Sequence, residues 1–170
     1  MNRSDLVAQI PGLRRYARAL TGNAWAADDL VQDTLERACS KWRLWTVGSD
    51  LRAWLFTLMH NLFVSDVRRA LRRQPDGGMV DVDEVAHTLG GPDDTTALGL
   101  DLQRCLMQLP LEQRTVLLLV CLEDMSYEEV ARVTGTPIGT VMSRLSRARS
   151  RLQQLLDAPA SAPPLLRRLK

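Results

Sequence analysis

The sequence predicts an all-α protein: two small helical domains joined by a flexible acidic linker, the C-terminal one built on a helix-turn-helix. Three observations predict it. Apolar residues recur at helical spacing along most of the chain, with few alternating β-branched runs and no alternation of strand and helix patterns. Residues 74–100 break that rhythm with Pro75, Gly77, Gly78, Gly90, Gly91, Pro92 and Gly99. Residues 126–151, SYEEVARVTGTPIGTVMSRLSRARSR, carry the start and stop signals of two helices separated by a tight turn.

Leu6, Ile10, Leu13, Ala17 and Leu20 mark a first helix, which Gly22-Asn23 breaks. A second runs from about Trp25 to Trp42, with Ala27, Val31, Thr34, Leu35, Ala38 and Trp42 inward. Asp50 caps a third that reaches about Arg73 and turns Leu51, Trp54, Leu55, Leu58 and Leu62 inward. These three form an N-terminal bundle. The segment that follows holds Asp76, Asp81, Asp83, Glu84, Asp93 and Asp94, and no Lys or Arg occurs between Arg73 and Arg104. It reads as a linker, with at most a short helical turn over 82–89. Helices resume over Leu100–Leu109 and Leu111–Leu122. The Pro-rich tail after residue 157 reads as disordered.

In the 126–151 segment Ser126 and Glu129 make a capping box. Gly135 is the left-handed residue that ends the first helix, and Thr136 and Pro137 are the N-cap and first residue of the next. Ile138, Val141, Met142, Leu145, Ala148, Leu152, Leu155 and Leu156 point inward. Thr136, Thr140, Ser143, Arg144, Arg147 and Arg151 fall on the opposite face: short hydroxyls first, cations after. A merely solvated face mixes charge signs. Here Asp157 is the only acid beyond Glu129, against eight Lys or Arg. The face therefore suits duplex DNA, with a recognition helix in second place.

Composition bounds the remaining functions. The chain has 170 residues and a formal net charge of +2, which conceals strong local asymmetry. No apolar run approaches the roughly 18 residues of a membrane span, and the N-terminus lacks a signal-peptide core, so a cytoplasmic location is expected. Cys39, Cys105 and Cys121 are widely spaced among apolar helical positions and read as buried thiols. His60 and His87 have no partners at ligand spacing. No cofactor, metal site or nucleophile–base pair is expected, and the chain does not read as an enzyme.

Two further stripes stand out. Asp29, Gln32, Asp33 and Glu36 share one side of the second helix; alone, they read as a solvated acidic face favoured near a helix N-terminus. Thr57, Asn61, Ser65, Arg68 and Arg72 share one side of the third, flanked by Arg69 and Arg73. Lys41, Trp42, Arg43 and Trp45 lie near the preceding loop. Cations mixed with aromatics suit single-stranded nucleic acid, where bases stack on rings.

The segments DDLVQDTLERACSKW, LRAWLFTLMHNLFVSDVRR and LPLEQRTVLLLVCLEDMSYEEVARVTGTPIGTVMSRLSRARSRL, in that order, resemble an extracytoplasmic-function (group IV) bacterial RNA polymerase sigma factor over residues of about 5 to 156. IPGLRRYARALTGNAWAADDLVQDTLERA resembles the general-stress subgroup. The resemblance implies a region 2 domain over 1–74, a linker over 75–100, a region 4 domain over 101–157 and a tail over 158–170. By the resemblance, Asp29, Gln32, Asp33 and Glu36 dock on the β′ clamp helices of core RNA polymerase, which replaces the solvated reading. It likewise places Asn61, Ser65, Asp66, Arg68, Arg69 and Arg72 on the minus-ten element. Trp45 then belongs to a loop that captures a flipped base. Thr136, Thr140, Ser143, Arg144, Arg147 and Arg151 face the minus-thirty-five element, where an Arg bonds guanine O6 and N7. The implied partners are core RNA polymerase, including its β subunit, promoter DNA and an anti-sigma factor. The competing reading is a helix-turn-helix transcriptional regulator with a helical N-terminal sensor domain.

Overall fold

A computed structural model describes residues 3–42, 50–73 and 97–157. Trp45 and its loop, the segment 74–96 and the tail lie outside the described residues. Within them every regular element is a helix: α1 (Arg3–Thr21), α2 (Ala24–Lys41), α3 (Leu51–Arg72), α4 (Ala97–Met107), α5 (Leu111–Cys121), α6 (Tyr127–Thr134) and α7 (Ile138–Asp157).

The helix starts follow local chemistry. The Asn23 side chain accepts the Ala26 amide at 3.0 Å and opens α2. Asp50 accepts the Arg52 and Ala53 amides at 2.9 and 3.2 Å and opens α3. Ser126 and Glu129 close a reciprocal capping box on α6, with bonds of 2.7 and 3.2 Å. Gly135 ends α6 at φ +65°, where a side chain would be strained.

The core is continuous. Leu13, Tyr16 and Leu20 of α1, Leu30 and Val31 of α2, and Leu55, Phe56 and Met59 of α3 join one buried cluster. The same cluster contains Leu109, Val116, Leu119, Val130, Val141 and Leu145 of the C-terminal helices. Each fully buried side chain of this size contributes about 1.5–3 kcal/mol. α1 packs on α2, α4 and α5, while α3 packs on α2 and α6, so the N-terminal and C-terminal helices clasp one another. At this junction the Tyr16 ring meets Phe56 edge-on, with centroids 5.2 Å apart. Burial raises the Tyr16 phenol well above its ordinary range, against the opposing pull of Thr115 and Arg114. Arg114, also buried, donates to the Met107 carbonyl at 3.3 Å.

Several expectations need correction. Ile138, Met142, Leu156 and Trp42 are 42%, 52%, 50% and 42% exposed rather than inward. Their helices bury a narrower stripe than the apolar pattern offers, because Val141, Leu145 and Ala148 already fill the α7 contact. Cys39 and Cys121 are exposed and Cys105 half-buried, so the thiols are not core residues. α7 begins at Ile138, after Pro137, and the Thr136 hydroxyl meets the Thr134 hydroxyl at 2.8 Å.

Candidate nucleic-acid interface

On α7, Thr140, Arg144, Arg147 and Arg151 recur at i, i+4, i+7 and i+11, so one line of the helix carries them. Arg147 and Arg151 are exposed, whereas Thr136, Thr140, Ser143 and Arg144 are half-buried. The Ser143 hydroxyl donates to the Thr140 carbonyl at 3.1 Å. Arg144 donates to Glu112 of α5 at 2.5 Å, and its side chain is 20% exposed. That bond ties the guanidinium to α5 at the N-terminal end of the cationic line.

On α3, Asn61, Ser65, Asp66, Arg68, Arg69 and Arg72 are all exposed. Asp66 and Arg69 form an ion pair at 3.1 Å, so the face presents Arg68 and Arg72 with less offsetting negative charge than its composition implies. Thr57 lies higher on the stripe and its hydroxyl returns to the Ala53 carbonyl at 2.8 Å. On α2, Asp29, Gln32, Asp33 and Glu36 are exposed together. Gln32 donates to Glu36 at 3.1 Å. Neighbouring Asp28 is met by Arg14 at 3.2 Å. The structure thus keeps the α2 group apart as an acidic face and brings the α3 and α7 groups toward each other.

His60 marks that approach. It sits half-buried on α3, and burial, then Arg144, then Arg68, pulls its imidazole down to about 4. The ring is therefore neutral near pH 7.

Glu123 is the residue that sequence reasoning missed. It lies between α5 and α6, 1% exposed. Arg15 of α1 grips its two carboxylate oxygens at 3.0 Å each. Arg52 of α3 donates to the same carboxylate at 3.0 Å and also to the Glu123 backbone carbonyl. Arg52 additionally lies over the Phe56 ring, 5.6 Å from its centroid. Two helices and a turn that are distant in sequence meet on this carboxylate. Among the described residues no group of His, Cys, Asp and Glu is arranged to hold a metal ion, and no helix is long and apolar enough to cross a membrane.

The chain is similar to known proteins. Residues 6–60 match the family described as the sigma2 domain of PhyR, and residues 99–152 the family described as sigma-70, region 4. The chain is 43% identical over 156 residues to the ECF RNA polymerase sigma factor EcfG of Rhodopseudomonas palustris (strain TIE-1), covering 91% of this chain and 84% of that protein. It is similar in structure to the sigma factor RpoE of Bartonella quintana, solved in complex with the anti-sigma factor NepR. The TM-score is 0.77 at 36% identity, over 92% of this chain and 96% of that one. CnrH, solved with the cytosolic domain of CnrY, is similar at a TM-score of 0.65 and 27% identity, over 92% and 88% of the two chains.

Proposed function

We propose that this chain, which belongs to the extracytoplasmic-function (ECF) family of RNA polymerase sigma factors, docks on core polymerase through α2 and reads promoter DNA through α3 and α7. Family membership displaces the alternative of a regulator with a sensor domain. The observation that carries the division of labour is the three surface stripes of different chemistry on separate helices, two fully exposed and the α7 one exposed at Arg147 and Arg151. Asp29, Gln32, Asp33 and Glu36 offer an acidic face to a basic surface of the polymerase, the β′ clamp helices. Asn61, Ser65, Arg68 and Arg72 offer amide, hydroxyl and cationic groups to the minus-ten strand. Thr140, Arg144, Arg147 and Arg151 offer a helix face to the minus-thirty-five major groove. Such a chain acts in the cytoplasm, as the specificity subunit of an enzyme rather than an enzyme itself. An anti-sigma protein of the kind bound to RpoE would silence it by covering these faces.

Geometry adds a requirement. Positions −10 and −35 are about 25 base pairs apart, roughly 85 Å on duplex DNA at about 3.4 Å per pair. A compact chain of this length measures only about 40 Å across. With α3 packed on α6, one chain cannot sit on both elements. The 24 residues between Arg72 and Ala97 can extend to about 80 Å, which together with the width of the two halves spans the gap once the clasp opens.

Reconstituted transcription tests the docking face. Core polymerase plus this chain initiates at a matching promoter, and Asp29→Arg lowers core affinity at least about tenfold without changing the melting temperature. Undiminished binding of Asp29→Arg at low salt would place the docking face elsewhere.

A further inference from the structure

We propose that Trp25 is the apolar anchor of the polymerase-facing surface of α2, a role that rests on the docking reading of the acidic stripe. Trp25 is 85% exposed, the most exposed large apolar side chain among the described residues. An indole left in water forgoes the burial that makes Trp a core residue elsewhere. Its position is specific. Trp25, Asp29, Gln32 and Glu36 recur at i, i+4, i+7 and i+11 on α2. At 3.6 residues per turn they fall within an arc of roughly 60°. The indole is therefore the N-terminal end of the same stripe, not a stray residue on another face.

The surroundings fit an anchor with a charged rim. Asp28 is met by Arg14 at 3.2 Å, so the outward negative charge comes from Asp29, Asp33 and Glu36. Gln32 steadies Glu36 at 3.1 Å. An apolar aromatic beside exposed carboxylates is complementary to one kind of partner: a helical surface with basic side chains beside an apolar recess that takes an indole. Binding energy at such interfaces concentrates in a few desolvated Trp, Tyr and Arg side chains, while rim charges steer approach and set salt dependence. The stripe alone would then supply orientation and on-rate, and Trp25 would supply residence time. The occupant is core RNA polymerase, not DNA, because phosphates are repelled by this face.

Competition binding to core polymerase, with the full chain as Trp25→Ala, Trp25→Phe and Asp29→Arg, tests the assignment. Trp25→Ala is expected to lose about 30-fold in affinity. That loss should stay nearly constant between low and high salt, because it is apolar. Trp25→Phe should recover much of it, and the melting temperature should not move. Asp29→Arg should lose affinity most strongly at low salt. Full affinity of Trp25→Ala beside a weakened Asp29→Arg overturns the anchor and leaves the stripe standing. Full affinity of both removes the docking reading itself, and the anchor with it. A Trp25→Ala loss that fades with salt as the Asp29→Arg loss does also overturns it.

Discussion

At the scale of single residues, His60 gives the most direct handle on the junction between the two halves. Burial pulls its folded value down to about 4, below the ordinary 6.5, with Arg144 on α7 and Arg68 on α3 acting in the same direction. The unfolded chain therefore binds more protons between these values. Stability is complete above about 6.5 and falls as pH drops toward about 4, by up to about 1.4 kcal/mol per pH unit from this group. Urea unfolding at pH 7 and pH 5 should show the loss, and His60→Gln should reduce the difference. An equal pH slope in the variant would assign the effect to carboxylates instead. Sequence spacing gives His60 no ligand partners, and periodicity places Asn61, Ser65, Arg68 and Arg72 on one exposed face. What periodicity could not reveal is Glu123. It stands in the turn between α5 and the Ser126 cap, where Leu122 and Met125 pack on the core, but a carboxylate beside Asp124 in a turn reads as solvated by local pattern. Its environment is built by residues 108 and 71 positions away.

At the scale of elements, the helix pair α6 and α7 was legible because its chemistry is local: a capping box that opens α6, one left-handed glycine that ends it and one proline before α7. The apolar stripe of α7 was legible in position but overestimated in width. Its neighbours α4, α5 and α6 all meet it along one side, so it buries the seam of Val141, Leu145 and Ala148 and leaves Ile138 and Met142 to solvent beside the cationic line. Arg144 shows how an element tunes its own reach. Glu112 of α5 holds the guanidinium at 2.5 Å, which aims one cation while Arg147 and Arg151 remain free to follow phosphates. Arg144→Ala should therefore cost about 1–3 kcal/mol at one base position of the upstream element and leave core-polymerase affinity unchanged. Arg151→Ala should weaken all sequences alike and shallow the salt slope by about one. Binding titrations on a set of upstream-element variants separate the two. A uniform loss for Arg144→Ala would make it a phosphate contact.

At the scale of the whole molecule, the sequence predicts two helical halves, and local spacing carries no information on how they pack. Arg15, Arg52 and Glu123 each look like ordinary surface charges in their own helices or turns. Together they form the polar centre of a clasp between α1, α3 and the α5–α6 junction. A Cβ on Gly12 would stand 3.3 Å from the Glu123 carboxylate, so the small residue there is part of what lets α1 come so close. The arginine side chains keep water, being 54% and 36% exposed, while the carboxylate is fully buried. That asymmetry decides the outcome of mutation. Without the cations, Glu123 is a buried charge with no countercharge from either helix, which costs on the order of 3–5 kcal/mol and is relieved by opening. Each arginine, by contrast, returns to solvent readily if Glu123 is the residue removed. Arg15→Ala with Arg52→Ala should therefore shift the closed arrangement toward the open one by a hundredfold or more. Helix content should hold, because both residues lie at the junction rather than inside either bundle. In small-angle scattering the radius of gyration should rise above the about 15 Å of a compact chain of this length, and thermal unfolding should broaden or split. Glu123→Gln, which leaves no buried charge, should open the chain less than the double arginine variant. If the double variant stays as compact as the unmodified chain and unfolds in one sharp step, apolar packing of Tyr16, Phe56 and Leu109 holds the halves together without the ionic centre. Opening for the promoter would then have to be driven by polymerase and DNA acting on that apolar seam.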